Sequence, residues 1–412
     1  MIIVISLDGV CHEDVVLSRL PNLKQLAEQG IYTKRMRVAF PSTTWINHIS
    51  AVTGKCADEH GILGGGAYSR SKKMEFGFFE PRLFDISDVP VPAIFEKAAE
   101  TGKTTATVCW PLTQGSPHIK YNIPECYSQN QFNDYSTPEF VKELVENGME
   151  FFSYADWSSE FRIGPLQDDL TCRITEYLIE QKQVDLVFTH FLVHDSYQHI
   201  YGIHTPESDW ALRYIDALVG RIIRSLRVAG LYEESHIIVM SDHGHETINK
   251  FFGIQSFLKN QGFPEGFFYC VNNGGAAMLY LLQDQISEQS LTELCAELEE
   301  HEAVEIAFTK EDEAMLSKMR LSPEPSPDTF PDIVIALNQG WYLDQQKIVK
   351  GHEDWLTAHT RTQKGSHGHW PETHPRMDSF MIRAGRSFPN GIQEDMGHIC
   401  DLYGIVEKLL GE

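Results

Sequence analysis

Residue types that bind divalent metals recur beside turn-forming residues at several separated places in this chain. Four such segments occur, at residues 7–9, 40–48, 194–199 together with 241–245, and 365–369. Imidazole nitrogens and carboxylate oxygens are ligands that Zn²⁺ accepts, and a catalytic zinc site keeps a position open for water or substrate. The sequence therefore predicts a metal centre assembled from distant parts of the chain.

The spacing inside these segments supports a shared site. Asp195 and His199 are four residues apart, so on one helical turn their side chains face the same way. Asp242 and His243 come just after the apolar run 236–240, separated from it by Ser241, and a buried strand rarely ends in two such groups without a use for them. Hydrolysis of a phosphate ester or anhydride needs an activated nucleophile, positive charge on the phosphate oxygens and stabilisation of the leaving oxygen. Two metals about 3.5–4 Å apart supply all three.

The elements that must position these residues alternate along the chain. Strand patterns occur at 2–7, 104–109, 185–191, 236–240, 276–282 and 332–336. Helical patterns occur at 21–29, 92–101, 138–149, 168–182, 207–229, 289–300 and 396–410. This alternation predicts an α/β fold with a mostly parallel central sheet covered by helices on both faces. Asp8 and Asp242 each come just after a strand, so both are expected at the carboxyl edge of the central sheet, where such sheets bind ligands.

The domain organisation follows from a change of pattern after residue 245. Residues 246–360 mix short strands and helices with an acidic run at 297–302 and a proline-rich turn segment at 322–327. We interpret 246–360 as a smaller inserted α+β cap, or substrate domain. Residues 1–245 and 361–412 then form the metal-binding catalytic core.

Composition limits the partners. The 34 Lys and Arg against 58 Asp and Glu give a net charge of −24, which argues against a nucleic-acid polymer or an anionic membrane surface. A small phosphorylated substrate remains compatible, because two bound dications would reverse the local field. No apolar run reaches the roughly 18 residues that span a bilayer. The N-terminus is typical of a strand and not of a secretory signal, and the eight cysteines are scattered, so a cytoplasmic location is expected. No pattern indicates an oligomeric state.

Several motifs resemble those of one family. They are Asp8-Gly9-Val10, Pro21-Asn22-Leu23, Phe40–His48, Thr53-Gly54, Glu59–Ile62, Asp195-x-x-x-His199, Ser241–Gly244 and Ser366–Gly368. In this order they resemble the nucleotide pyrophosphatase/phosphodiesterase (type I phosphodiesterase) family of the alkaline phosphatase superfamily, to which phosphonoacetate hydrolases are related. The resemblance implies an alkaline-phosphatase-like fold.

The resemblance also implies a ligand scheme and a reaction. It assigns one metal to Asp195, His199 and His367, and the other to Asp8, Thr44, Asp242 and His243. Zinc is the metal it implies, and manganese and iron also accept such ligands. It implies that Thr44 attacks phosphorus and forms a phosphothreonyl intermediate, which water then hydrolyses.

The substrate is expected to be a phosphodiester or pyrophosphate of nucleotide type. Two alternatives remain open: phosphonoacetate hydrolase or phosphomonoesterase activity on the same site, and a non-catalytic metal-binding relative. His369 and His374 lie close to His367 in sequence and compete with it as the ligand; His367 is favoured because it directly precedes a glycine, as the ligand does in the family.

One position departs from the family pattern. In the family, an asparagine contacts a phosphate oxygen at the position that Gly65 occupies here. Loss of a side-chain donor of that kind typically costs a factor of about 10²–10³ in rate. Either backbone N–H groups of the glycine run 64–66 replace it, as a small anion-binding nest, or a nearby side chain such as Tyr68 does.

Overall fold

The computed structural model describes residues 1–77, 86, 89–158, 160–283, 286–344 and 363–411. Within these residues the strands are β1 (Ile2–Leu7), β2 (Gly30–Arg37), β3 (Gly66–Ser69), β4 (Met74–Gly77), β5 (Thr105–Trp110), β6 (Tyr121–Pro124), β7 (Leu186–Phe191), β8 (His236–Met240), β9 (Glu246–Thr247), β10 (Lys250–Gly253), β11 (Phe268–Asn272), β12 (Ala276–Leu281), β13 (Val304–Thr309), β14 (Ile333–Leu337), β15 (Trp341–Asp344), β16 (Gly365–Ser366), β17 (Ser379–Gly385) and β18 (Ile392–His398).

Helices connect most of these strands. They are α1 (Pro21–Glu28), α2 (Thr44–Thr53), α3 (Ala57–His60), α4 (Ile94–Glu100), α5 (Gln129–Tyr135), α6 (Pro138–Glu146), α7 (Gly164–Tyr177), α8 (Val193–Tyr201), α9 (Pro206–Val228), α10 (Ile254–Asn260), α11 (Glu288–Glu299), α12 (Glu313–Met319) and α13 (Asp401–Leu410). A π-helical turn, Leu178–Lys182, extends α7.

The central sheet has eight strands in the order β18-β2-β17-β8-β1-β7-β5-β6. Strand β17 runs antiparallel to both of its neighbours, and the other pairs are parallel. The predicted α/β fold with a mostly parallel sheet is therefore confirmed.

The apolar run of β1 explains why helices cover both faces. Ile3, Ile5 and Leu7 belong to one buried cluster with side chains of α1, α7 and α9. Ile2 and Val4 belong to a second cluster with side chains of α2, α4 and α13. Successive side chains of a strand point to opposite faces, so a strand with apolar residues on both faces requires cover on both.

The region after β8 forms sheets of its own. Strands β11, β12, β14 and β13 make a four-stranded antiparallel sheet, and β9 pairs with β16, which brings the chain back to the core. An apolar cluster joins this region to the core, where Val271 and Tyr280 pack with Phe40 and Tyr68. The division into 1–245, 246–360 and 361–412 stays a prediction; residues 345–362, which contain its second boundary, lie outside the described residues.

The C-terminal helix was predicted too long. A helix was expected from residue 396, but residues 392–398 form β18 and α13 begins at Asp401. Strand β18 is an edge strand with mostly exposed and partly buried residues, so its sequence lacks the apolar run that identifies a buried strand.

The state of the cysteines and the length of the helices can be compared with what the sequence predicted. All eight cysteines are free thiols, and all but Cys400 are buried. Within the described residues, no helix combines the length and apolar character needed to cross a membrane. The cytoplasmic location stays a prediction.

Candidate metal centre

The ends of three neighbouring parallel strands position the site. Asp8 follows β1, Asp242 and His243 follow β8, and α8 begins shortly after β7. The register aligns Leu7 with Phe191, and the Asp8 N–H donates to the Phe191 carbonyl at 2.9 Å. The carboxyl edge of the sheet therefore places these side chains together, as the strand patterns predicted.

One group of side chains surrounds the Asp195 carboxylate. His199 Nε2 lies 3.4 Å from Asp195 Oδ2, and His367 Nε2 lies 3.7 Å from Asp195 Oδ1. His245 Nε2 lies 2.6 Å from the same Oδ1. Ligand atoms of all four residues lie within 4.8 Å of one another, which is close enough for one metal ion.

A second group surrounds His243 Nε2. This nitrogen lies 3.5 Å from Asp8 Oδ1, 3.3 Å from Asp242 Oδ2 and 3.2 Å from Thr44 Oγ1. Asp8, Asp195 and His243 also offer ligand atoms within 4.8 Å of one another, so the two groups adjoin. The structure thus brings together all seven residues of the ligand scheme.

The imidazoles are oriented for metal binding. Nδ1 of His199 faces the Gly365 carbonyl at 3.0 Å, and Nδ1 of His243 faces the Gly244 carbonyl at 3.2 Å. Nδ1 of His367 faces the Ser42 carbonyl at 3.1 Å. A carbonyl can only accept, so each Nδ1 has the proton and each Nε2 has the free lone pair. This arrangement is usual for metal-binding histidines.

The carboxylates leave oxygens without partners. Asp242 Oδ1 accepts the N–H groups of Gly9 at 3.2 Å and His243 at 2.9 Å. Asp242 Oδ2 and Asp8 Oδ1 are buried and have no hydrogen-bond partner among the described residues. Buried polar atoms are normally satisfied, and two such oxygens beside imidazole lone pairs fit a bound cation.

The charge balance of the two groups differs. Burial, together with the nearby carboxylates of Asp242, Asp195 and Glu125, raises the pKa of Asp8 well above its usual value. Burial also opposes ionisation of Asp195, but the surrounding imidazoles hold its pKa well below its usual value. Several acidic groups therefore lie close together around Asp8, and a bound dication would favour their ionised form.

Thr44 occupies the start of a buried helix. It is the first residue of α2, and Thr43 takes the cap position without a side-chain hydrogen bond. All ten residues of α2 are buried. The helix dipole places partial positive charge at this end, which favours an anion beside the Thr44 hydroxyl.

Gly9 allows the close approach of α8 to the strand end. Its φ is +71°, and a Cβ at this position would lie 2.9 Å from the Asp195 Cα. Any side chain would push Asp195 away and strain the backbone. The glycine after Asp8 is therefore required by the geometry of the site.

Three residues outside the ligand scheme lie close to its carboxylates. His245 contacts Asp195, and His190 Nε2 lies 3.2 Å from Asp8 Oδ2. Glu125 was missed: it is buried, which raises its pKa to about 8, and it offers a ligand atom near Asp8 and His190. Like Asp8 it directly follows a strand, but β6 has only four residues and its pattern is weak.

The competing histidines lie apart from both groups. His369 is fully buried and its ring approaches the ring of His374 at 4.8 Å between centroids. His374 Nε2 lies 3.1 Å from Glu305. Neither belongs to a described group of residues that could hold a metal, so the geometry favours His367.

Asp168 holds the helix that contains Asp195. Its Oδ1 accepts the Leu192 N–H at 2.9 Å and its Oδ2 accepts the Val193 N–H at 3.0 Å, at the start of α8. The side chain is fully buried, which raises its pKa to about 7. Sequence reasoning had no means to find it, because it lies within α7 and far from α8 in sequence.

We expect Asp168→Ala to destabilise the protein and loosen the metal centre. It leaves two buried N–H groups unpaired, and each costs about 1–3 kcal/mol. Denaturant unfolding measures the loss. Asp169→Ala is the control, because Asp169 is 45% exposed and pairs with Arg221 at 2.6 Å, a surface contact worth at most about 1 kcal/mol. Equal losses in the two variants would contradict this role of Asp168.

Comparison with known proteins identifies the family. The fold and the clustered side chains first define an alkaline-phosphatase-like protein with a candidate metal centre at the edge of its sheet. The family model described as type I phosphodiesterase/nucleotide pyrophosphatase matches residues 2–370. The chain belongs to this family, as the motifs predicted.

Some relatives match the whole chain and others match about half of it. Bis(5'-adenosyl)-triphosphatase ENPP4 of Bos taurus is 21% identical over 411 residues, covering 100% of this chain and 78% of the relative. Ectonucleotide pyrophosphatase/phosphodiesterase family member 1 of Homo sapiens is 26% identical over 228 residues, covering 55% of this chain and 21% of the relative. The structure of murine ectonucleotide pyrophosphatase/phosphodiesterase 5 has a TM-score of 0.71 at 18% identity, covering 100% of this chain and 95% of that one. The structural likeness supports the same fold.

Proposed function

We propose that this chain is a two-metal phosphohydrolase that cleaves a phosphodiester or pyrophosphate of nucleotide type, with Thr44 as nucleophile. The main supporting observation is that Thr44 Oγ1 lies 3.2 Å from His243 Nε2, in a group of candidate ligands that adjoins the group around Asp195. Family membership makes it a hydrolase of the phosphodiesterase/pyrophosphatase type.

The side chains suit two divalent ions. Asp195, His199 and His367 would hold one; Asp8, Asp242, His243 and the Thr44 hydroxyl would hold the other. The nitrogen and oxygen donors suit zinc, and also manganese or iron. When bound, such ions neutralise charge on the phosphate oxygens and lower the pKa of hydroxyl groups and water.

The roles of the protein groups follow from their positions. Thr44 Oγ1 attacks phosphorus at the positive end of α2 while the bond from phosphorus to the leaving oxygen breaks; a phosphothreonyl ester remains, and the hydroxyl proton passes to solvent or to the leaving oxygen. Water then hydrolyses this ester and restores the hydroxyl. Carbonyl groups of Ser42, Gly244 and Gly365 keep the imidazoles in their reactive tautomer.

The names of related proteins support a nucleotide-type substrate. One relative is a bis(5'-adenosyl)-triphosphatase, and a structure of inactive murine ectonucleotide pyrophosphatase/phosphodiesterase 5 contains AMP. A small phosphorylated molecule, and not a nucleic-acid polymer, is also what the net charge of −24 favours.

We expect zinc-loaded protein to hydrolyse a nitrophenyl phosphodiester faster than the corresponding nitrophenyl monoester. Comparison of kcat/KM for the two substrates measures this preference. A strong preference for the monoester would reject the diesterase assignment.

The alternative activity as a phosphonoacetate hydrolase has a specific basis at Gly65, where the family's phosphate-contacting asparagine is absent. Phosphonoacetate is therefore assayed in parallel for released phosphate. Release would favour the phosphonate hydrolase, and absence of release removes that option.

A further inference from the structure

The turn between β11 and β12 reaches the metal centre from the inserted region. Within it, the Gly275 N–H donates to the His367 carbonyl at 2.8 Å, and the Asn273 N–H donates to the Ala276 carbonyl at 2.9 Å. His367 is also tied to the segment before the nucleophile, because its Nδ1–H donates to the Ser42 carbonyl at 3.1 Å. The turn, the candidate ligand and the nucleophile segment therefore form one hydrogen-bonded unit.

The Asn273 side chain fills space that two glycines leave open. Asn273 Oδ1 accepts the Gly65 N–H at 2.9 Å. Gly64 has a φ of +149°, and a Cβ there would overlap this Oδ1 and lie 3.1 Å from Nδ2. The carboxamide thus lies directly on the backbone of residues 64 and 65, and its orientation is set because Oδ1 must face the Gly65 donor.

The other end of this amide has no partner. Asn273 is 4% exposed, and its Nδ2 is buried without a hydrogen-bond partner among the described residues. Asn272, one residue earlier, differs: its Oδ1 accepts the Gly274 N–H at 2.7 Å and its Nδ2 donates to the Leu343 carbonyl at 3.2 Å. An unpaired buried donor costs about 1–3 kcal/mol, so its retention beside the site indicates a use.

We propose that Asn273 Nδ2 donates a hydrogen bond to an oxygen of the phosphoryl group bound at this site. The region after β8 then provides a phosphate-binding residue. This inference rests on the proposed function, since it concerns the same site. The Gly65 N–H already donates to Asn273 Oδ1. It is therefore not free to join the anion-binding nest that was one of the two replacements considered for the asparagine. Tyr68 was the side chain that the sequence offered as the replacement donor. Its ring stacks on Tyr269 at 4.4 Å between centroids, within the apolar cluster that joins the core to the region after β8.

The physical advantage of this donor is its rigidity. Gly65 fixes the acceptor end of the amide, so the N–H is aimed before substrate arrives and needs no reorganisation as charge develops on the phosphoryl oxygens. Preorganised donors of this kind are worth a factor of about 10²–10³ in rate. The effect is expected mainly in kcat and in the binding of anions that mimic the transition state.

The test compares Asn273→Asp and Asn273→Ala with the matched pair Asn272→Asp and Asn272→Ala, all in zinc-loaded protein. Asn273→Asp keeps an acceptor for Gly65 but has no N–H to donate, and Asn273→Ala removes the donor without adding charge. Two readouts are used: kcat for a nitrophenyl phosphodiester, and the Kd of orthovanadate measured by calorimetry. Bound zinc is measured for every variant.

Both Asn273 variants are expected to lower kcat by about 10²–10³ and to weaken vanadate binding, with zinc content unchanged. The Asn272 variants lose hydrogen bonds to Gly274 and Leu343, so they should be less stable, but they should lose far less kcat and vanadate affinity than the Asn273 variants. Unchanged kcat and vanadate binding in Asn273→Ala would overturn the proposal, as would equal losses in the Asn272 pair or loss of zinc in Asn273→Asp. If the unchanged protein hydrolyses no phosphodiester, the proposed function fails, while vanadate binding still decides the role of Asn273.

Discussion

Thr44→Ala is expected to abolish phosphodiester turnover while close to two metal ions per chain remain bound. The hydroxyl is the proposed nucleophile, so its removal should lower kcat by at least about 10³-fold. Asp8, Asp242 and His243 would still hold the second metal. The measurements are kcat for a nitrophenyl phosphodiester and metal content by elemental analysis.

Thr44→Ser is the matched control for this experiment. It keeps a hydroxyl at the first residue of α2 and removes only a methyl group. Turnover should therefore be largely retained. Unchanged turnover in Thr44→Ala would contradict the threonine mechanism, including its phosphothreonyl intermediate. Failure of both the unchanged protein and Thr44→Ala to turn over any phosphate ester would favour the non-catalytic metal-binding alternative.

His367→Ala is expected to remove one of the two metals and most of the activity. His367 lies in the group around Asp195 and is held by the Ser42 carbonyl. Changes to residues that only support a metal ligand cost about 10–100-fold in metal affinity or activity, so loss of a ligand itself should cost at least about 100-fold. Titration with zinc after dialysis against a chelator measures the affinity of each site.

His369→Gln is the control for this ligand assignment. His369 is buried and lies outside the described metal-binding groups, so its replacement should affect stability more than metal content. Loss of one zinc in His369→Gln, with both retained in His367→Ala, would reverse the assignment. Retention of both metals in each variant would contradict the proposed centre.

The sequence predicted the architecture well where strands are buried on both faces. Strands β1 and β8 were predicted with their observed bounds, because apolar runs such as Ile2–Leu7 end sharply at polar residues. Strands β2, β17 and β18 were not predicted. Strand β18 lies at the sheet edge with much of its surface exposed, and an edge strand needs no apolar run.

The candidate site was predictable in the same local sense. Asp195 and His199 were placed together by helical spacing, and Asp8 and Asp242 by their positions after strands. Glu125 follows a strand too, but four residues of β6 are too few to be recognised from sequence. Asp168, which holds the start of α8, was not predictable because its partners are 24 and 25 residues away.

The sequence alone determined which side chains stand at the ends of strands and helices, because apolar runs and helical spacing are local properties. Tertiary structure alone decided which of them meet. Gly65 and Asn273 are 208 residues apart, and nothing in the sequence around either one indicates that the amide would lie on the glycine. Hydrogen bonds to carbonyls likewise select Nε2 of His199, His243 and His367, because the direction of a side chain depends on neighbours that only the folded chain provides.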